Sequence, residues 1–259
     1  MPTVAGIWTE PFRVRAYETD PHGLASIQTL CNYFQEAAGK HARAYGVSID
    51  QLLEHDLTWV LSRLRVHIEA APVWGDTVRL ETWPAGVEGL YAMRDFIFYT
   101  VSDEEHTPRC VGRGTSAWLV VDVHRKRPVR VPPSITEIIL PERERALPDA
   151  FTKLRPPPRA EHEARFRVRY SDLDINQHVN NVRYAEWAVE SVPDAILHDY
   201  RLRDLDLQYR AETTFGDTVI AQAQQAPPGD APVFDHQLLR EHDGRTVALA
   251  QTHWVRRTT

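Results

Sequence analysis

The sequence predicts an α+β fold built twice in tandem, each copy a helix laid against an antiparallel, meandering sheet. Three observations predict it. "FRVRAYETDPHG" at 12–23 aligns with "FRVRYSDLDINQ" at 166–177, an offset of 154 that also pairs Tyr33 with Trp187 and Glu36 with Glu190. "VWGDTV" at 73–78 aligns with "TFGDTV" at 214–219 at an offset of 141, so the first copy holds thirteen extra residues (154 − 141), assigned to "HARAYGVSIDQLLEHDLTW". Within each copy a helix pattern is followed only by strands, which argues against a parallel βαβ array.

The elements follow in the same order in both copies. A short extended stretch opens each, "PFRVRAYET" and "ARFRVRYSD", with Phe12 and Val14, or Phe166 and Val168, on one side and arginines on the other. A helix comes next. Ile27, Leu30, Cys31, Phe34, Ala38 and His41 recur at three- and four-residue spacing, as do Val182, Ala185, Val189 and Val192; Asn180 or Asn181 is placed to cap the second helix and Pro193 to limit it. "LRDLDLQYRAE" alternates strictly, with Leu205, Leu207, Tyr209 and Ala211 facing one way and Asp206, Gln208, Arg210 and Glu212 the other. "GDTV" marks a tight turn. "DTVRLETW", "MRDFIFYTVSD" and "GTSAWLVVDV" then read as strands of the first copy, and "DTVIAQAQQ", "PVFDHQLLRE" and "RTVALAQTHWV" as strands of the second. Pro141, Pro148 and Pro156-Pro157-Pro158 punctuate a charged stretch between the copies, which gives domains at 1–140 and 161–259 with a linker at 141–160.

Composition narrows the function classes. A net charge of −6 with 25% charged residues leaves no basic excess for nucleic acid, and the Arg125-Lys126-Arg127 cluster reads as a solvated hairpin. Cys31 and Cys110 lack metal-ligand spacing, so neither a metal nor a disulfide framework is expected. A reducing cytoplasm fits. The first fifteen residues lack a signal-peptide pattern and no apolar run approaches a membrane span, so neither secretion nor a membrane partner is expected.

Chemistry concentrates in "YSDLDINQHVNN" at 170–181. Asp174, Asn176 and His178 are two apart, so an extended backbone directs all three side chains to one side. An acid, an amide and an imidazole at a helix start suit acyl chemistry, with the backbone N–H groups of Val179 and Asn180 as oxyanion donors. The bland alternative makes Asp174 and Asn176 a turn, Asn180 a cap and His178 a satisfied core group. The first copy distinguishes them in part: Asp20 keeps the acid, while Asn176, His178 and Asn180 become His22, Leu24 and Ser26.

"DLDINQHVNNVRYAEWAVESVP" resembles the signature of the acyl-acyl-carrier-protein thioesterases of plants and bacteria, D-x-N-x-H-V-N-N followed by an aromatic-rich helix ending in E-S-V-P. "AYETDPHGLASIQTLCNYFQEAAGKHARAYG", "LTWVLSRLRVHIEAAPVWGDTVRLETWP" and "SAWLVVDVHRKRPVRVP" are similar to the N-terminal half of that family, so nearly the whole chain is covered. The resemblance implies a double hot-dog fold with a substrate-binding, non-catalytic first repeat and a catalytic second one. It implies catalytic roles for Asp174, Asn176, His178 and, in "YRAET", Glu212, which maps to Ala71 in the first copy. Thr213 stands where family members often carry cysteine, and its hydroxyl is far less acidic than a thiol, which favours a carboxylate-centred mechanism. The implied reaction is hydrolysis of fatty acyl chains from acyl carrier protein without a cofactor. Asp174 would be nucleophile or base, and Glu212 would position the water. Arg183, Arg201, Arg203 and Arg210 are candidate contacts for the acidic carrier. Asp20 resembles the aspartate of single hot-dog thioesterases of the hydroxybenzoyl-CoA type, which would make a second site. An acyl-CoA thioesterase and a non-catalytic acyl-binding hot-dog protein are the alternatives. Chain-length preference and oligomeric state, a homodimer included, are not legible.

Overall fold

The computed structural model describes residues 6–101, 108–138, 140–148, 151, 153–227 and 229–257. The chain divides into two compact units, Met1–Ala150 and Phe151–Thr259. In the first, β1 (Trp8–Arg13), α1 (Ile27–Ala44) and α2 (Ile49–Leu53) precede β2 (Leu57–Ile68), β3 (Thr77–Glu88), β4 (Tyr91–Val101), β5 (Arg109–Asp122), β6 (Arg127–Val129) and α3 (Pro133–Thr136). In the second, β7 (His162–Arg167), α4 (Asn181–Val189) and α5 (Asp194–Asp199) precede β8 (Tyr200–Tyr209), β9 (Thr218–Gln225), β10 (Val233–Arg240) and β11 (Arg245–Arg256). The sheet orders are the same: β1-β3-β4-β5-β2 and β7-β9-β10-β11-β8, antiparallel throughout.

Each unit buries the sheet face that meets its helix. Ser26 caps α1 by accepting from the Thr29 N–H at 3.2 Å, and the stripe Leu30, Cys31, Phe34, Ala37, Ala38 and His41 turns inward. Phe34 stacks on Phe96 at 4.4 Å. That approach needs Gly114 on β5, where a Cβ would lie 2.7 Å from the Phe34 ring. The repeat is visible in packing as well, since Phe12 stacks on Tyr33 in the first unit and Phe166 on Trp187 in the second. Burial of Leu205, Leu207, Val219, Ala221, Leu238, Val247 and Leu249 completes the second core, each leucine and valine contributing about 1.5–3 kcal/mol.

The structure modifies three sequence expectations. The helix of each repeat is not alone: α2, with its Ser48–Gln51 capping box, and the last turns of the eighteen-residue α1 occupy the extra sequence of the first copy, and α5 follows Pro193 in the second. β8 ends at Tyr209, so Ala211 and Glu212 lie beyond the strand and its alternation does not govern them. The described residues of the linker have irregular backbone, but their charges are not simply solvated. Arg145 donates to the fully buried Asp95 carboxylate at 2.8 and 3.2 Å, Thr115 and the Ala146 N–H complete that carboxylate, and Arg143 pairs with Glu81 while covering the Trp83 ring. The Arg125–Arg127 hairpin is exposed as expected.

Candidate active site

The polar segment of the second unit folds as a closed loop between a short 3-10 turn, Tyr170–Asp172, and α4. Leu173 and Val179 form a bridge across its neck. The Asp174 N–H donates to the His178 carbonyl at 2.8 Å, and the Gln177 N–H to the Asp174 carbonyl at 3.1 Å. Asp174 Oδ1 accepts from the N–H groups of Asn176 and His178 at 2.8 and 3.4 Å. Gln177 takes a φ of 63°, in the left-handed region. The backbone therefore turns sharply, and the expectation that Asp174, Asn176 and His178 share a side because they alternate does not apply.

What the loop brings together is a different subset. His178 Nε2 lies 3.2 Å from Glu212 Oε2, with the two side chains 38% and 57% exposed. Asp174 joins them through the backbone of His178, and its Oδ2 has no hydrogen-bond partner among the described residues. The Asn176 amide is exposed, with no side-chain hydrogen bond among the described residues. Asn180 acts as helix cap, accepting from the Val182 N–H at 3.1 Å.

The proposed oxyanion donors are a correction. The Val179 N–H donates to the Thr213 carbonyl at 3.0 Å and the Asn180 N–H to the Asp172 carbonyl at 2.9 Å. Both are consumed in closing the loop, so neither is available to a developing oxyanion.

Several residues that sequence reasoning passed over hold this arrangement. Asp172 is buried and receives Arg169 through its backbone and guanidinium, with Arg183 at 3.3 Å. Burial pushes its carboxyl up, but the Arg169 and Arg183 interactions outweigh it and hold the group below the usual carboxylate range. The Tyr184 and Thr213 hydroxyls meet at 2.8 Å, both buried, and Tyr209 donates to the Asn181 carbonyl at 3.0 Å. Thr213 is thus fully buried and engaged, which removes it as a nucleophile at the position of the family's cysteine. The four candidate docking arginines do not form one free patch: Arg183 is held by Asp172 and Glu186, Arg203 by Asp204, and Arg201 is partly buried, while Arg210 remains exposed beside Gln208. No group of three His, Cys, Asp or Glu side chains placed to hold a metal occurs among the described residues.

Against known proteins, residues 6–139 match the model of the acyl-ACP thioesterase N-terminal domain, and residues 156–256 that of the acyl-ACP thioesterase C-terminal domain. The chain belongs to the acyl-ACP thioesterase family. A chloroplastic acyl-carrier-protein hydrolase of Cuphea viscosissima is 31% identical over 95% of this chain and 61% of its own length. A chloroplastic dodecanoyl-carrier-protein hydrolase of Umbellularia californica is 32% identical over 96% and 67%. The chain thus spans about three-fifths of the first curated acyl-ACP thioesterases it matches. A 12:0-ACP thioesterase structure from Umbellularia californica superposes with a TM-score of 0.81 at 28% identity, covering 97% of this chain and 94% of that one. The acyl-ACP thioesterase structure from Bacteroides thetaiotaomicron gives 0.85 at 24% identity, covering 98% and 100%. The double hot-dog fold is the fold of this member of the family.

Proposed function

We propose that this chain hydrolyses fatty acyl thioesters carried on acyl carrier protein, releasing the fatty acid and the carrier thiol. The observation that carries this reading is the His178–Glu212 pair at 3.2 Å, open to solvent, beside an Asp174 carboxylate with one oxygen unspent. Family membership supplies the substrate class. In this reading Glu212 and His178 orient and deprotonate a water molecule, whose oxygen adds to the thioester carbonyl; the C–S bond then breaks and the proton passes to the departing thiolate. Asp174 Oδ2 is the second carboxylate facing the reaction, as base or as nucleophile. With the Val179 and Asn180 N–H groups consumed, the Asn176 amide, whose donors are unspent, is the group left to receive the carbonyl oxygen. The second repeat is the catalytic one. A reducing compartment such as the cytoplasm fits the two free cysteines; the curated plant relatives named above are chloroplastic.

Matched acyl chains presented on acyl carrier protein and on coenzyme A test the assignment. Turnover on the carrier-bound series with weaker turnover on acyl-CoA is expected. Equal or higher activity on acyl-CoA would instead make the chain an acyl-CoA thioesterase, and no turnover on either would leave an acyl-binding protein.

A further inference from the structure

Three hydrogen bonds tie the segment that carries Glu212 to the loop and helix that carry His178. Two come from side chains, Tyr184 Oη to Thr213 Oγ1 at 2.8 Å and Tyr209 Oη to the Asn181 carbonyl at 3.0 Å. The third is from backbone alone, the Val179 N–H to the Thr213 carbonyl at 3.0 Å. The first repeat shows what the scaffold alone requires. There the backbone bond persists, the Ala25 N–H donating to the Pro72 carbonyl at 2.7 Å. Both side-chain bonds are gone, because Tyr184, Tyr209 and Thr213 correspond to Leu30, Ile68 and Pro72. The loop therefore closes without them.

Their cost is real, since two tyrosine hydroxyls and a threonine hydroxyl are placed where the sister repeat uses apolar groups. Thr213 is fully buried and Tyr184 nearly so, so solvent offers neither an alternative partner. The polar set occurs in the repeat that also holds His178 and Glu212, whose equivalents are Leu24 and Ala71.

We infer that Tyr184 and Thr213, supported by Tyr209, are positioning residues that hold Glu212 at hydrogen-bonding distance from His178. The inference rests on the proposed reading in which that pair activates water. Glu212 lies in irregular chain beyond β8, where the Ala211 N–H donates to the Val247 carbonyl at 3.2 Å and Arg240 donates to the Glu212 carbonyl at 3.0 Å, and Thr213, its immediate neighbour, supplies the anchor on the side of the His178 loop. Anchoring Thr213 at both its hydroxyl and its carbonyl fixes the direction in which Glu212 leaves the backbone and keeps its carboxylate within reach of His178.

The test is a cycle of variants assayed on carrier-bound acyl substrate, with melting temperature read alongside. Thr213→Val and Tyr184→Phe remove one hydroxyl each while keeping shape, and the phenylalanine retains its packing on Trp187 and Tyr209. Each should lower kcat about ten-fold with KM changed less than about two-fold, and Thr213→Ser should restore most of the rate. The double variant should be no slower than either single one, because the two hydroxyls form one interaction. In a Glu212→Gln background, Thr213→Val should have no further effect on kcat. An undiminished ten-fold loss in that background would overturn the positioning role, as would wild-type kcat in both Thr213→Val and Tyr184→Phe. If Thr213→Val does not fold, Tyr184→Phe in the same two backgrounds decides the question. Glu212→Gln at wild-type rate is a separate result: it removes the reading beneath the inference, and the inference with it.

Discussion

The same loop is built in both repeats, and the second sets a histidine beside a glutamate where the first has Leu24 and Ala71. In the first, Asp20 Oδ1 accepts from the His22 and Leu24 N–H groups at 2.9 and 3.0 Å, and the Asp20 N–H donates to the Leu24 carbonyl at 2.7 Å. In the second, Asp174 makes the matching bonds to Asn176 and His178. The flanking frame repeats too. Ser26 N–H reaches the Glu18 carbonyl as Asn180 N–H reaches that of Asp172, and Asp76 and Asp217 each accept from the N–H three residues earlier. The aspartate is thus first a loop-builder, and its presence alone does not mark chemistry. What differs is the neighbourhood: Leu24 and Ala71 stand where His178 and Glu212 meet. Asp20 therefore shares the loop geometry of Asp174 without a histidine–glutamate pair at the equivalent positions.

The largest effects should come from breaking that difference. Asn at either aspartate keeps an Oδ1 acceptor, so Asp174→Asn and Asp20→Asn both preserve the turn. Turnover should fall by about 10²–10⁴-fold in Asp174→Asn and stay within about two-fold of wild type in Asp20→Asn. Steady-state kinetics with parallel melting curves checks this; equal behaviour of the two variants would reduce Asp174 to its structural role. His178→Ala should cost about 10²-fold on the same scale, and Leu24→Ala nothing beyond stability.

A second comparison concerns how each repeat satisfies buried polarity in its sheet. The first uses charge, Asp95 with Arg145 from the linker. Arg145→Met would leave a fully buried carboxylate without its cation and should cost about 3 kcal/mol, read by denaturant unfolding. The second uses a neutral chain. The Trp254 indole donates to Thr252 Oγ1 at 2.9 Å, Thr252 meets His236 Nε2 at 2.8 Å, His236 Nδ1 meets Ser191 Oγ at 3.0 Å, and Ser191 donates to the Ala188 carbonyl at 2.8 Å. Because Ser191 spends its proton on an obligatory acceptor, His236 Nδ1 must donate to it, and burial keeps the ring neutral with Nε2 accepting from Thr252. With the Ser191 proton spent on the helix, this Ser–His pair is no hydrolase dyad.

Burial holds the folded His236 pKa at about 3, below the ordinary 6.5. Between those values the unfolded chain binds the proton and the folded one does not, so stability falls as pH drops from about 6.5 toward 3. Melting temperature across that window should decline in the wild type. His236→Gln should be less stable at neutral pH yet show a shallower acid decline, whereas an unchanged slope would assign the acid sensitivity elsewhere.

The fold was legible because duplication doubled each weak signal. The "GDTV" turn, the alternation through Leu205 and Leu207 and the helix stripes are local periodicities that tertiary packing did not need to override. The site was legible only in its residue types. Two-residue spacing implied a common side, but Asp174 bends the chain by capping its own turn, a competition between side chain and backbone that spacing does not encode. The Val179 and Asn180 N–H groups are spent on Thr213 and Asp172, one of them about thirty residues away, so no local pattern announces it. The polar set at Tyr184, Tyr209 and Thr213 could have been found by reading the second copy against the first, position by position.

The smallest effect sharpens the loop comparison most finely. Gln177 and Gly23 occupy equivalent positions with φ of 63° and 76°. A side chain in the left-handed region costs about 1–2 kcal/mol, while glycine costs about 0.5–1 kcal/mol in lost unfolded-chain entropy, so Gln177→Gly should stabilise the second repeat by at most about 1.5 kcal/mol. The reverse change, Gly23→Gln, should destabilise by a similar amount through backbone strain alone, since a Cβ there meets nothing within 4 Å. If strain at Gln177 is kept because it stiffens the loop beside the reactive pair, Gln177→Gly should raise the melting temperature while lowering kcat by about two- to three-fold. Gly23→Gln should lower the melting temperature with kcat unchanged. Opposite signs on stability, with only one of the two touching turnover, would show that the repeats share a loop conformation and that only the second puts it to chemical use.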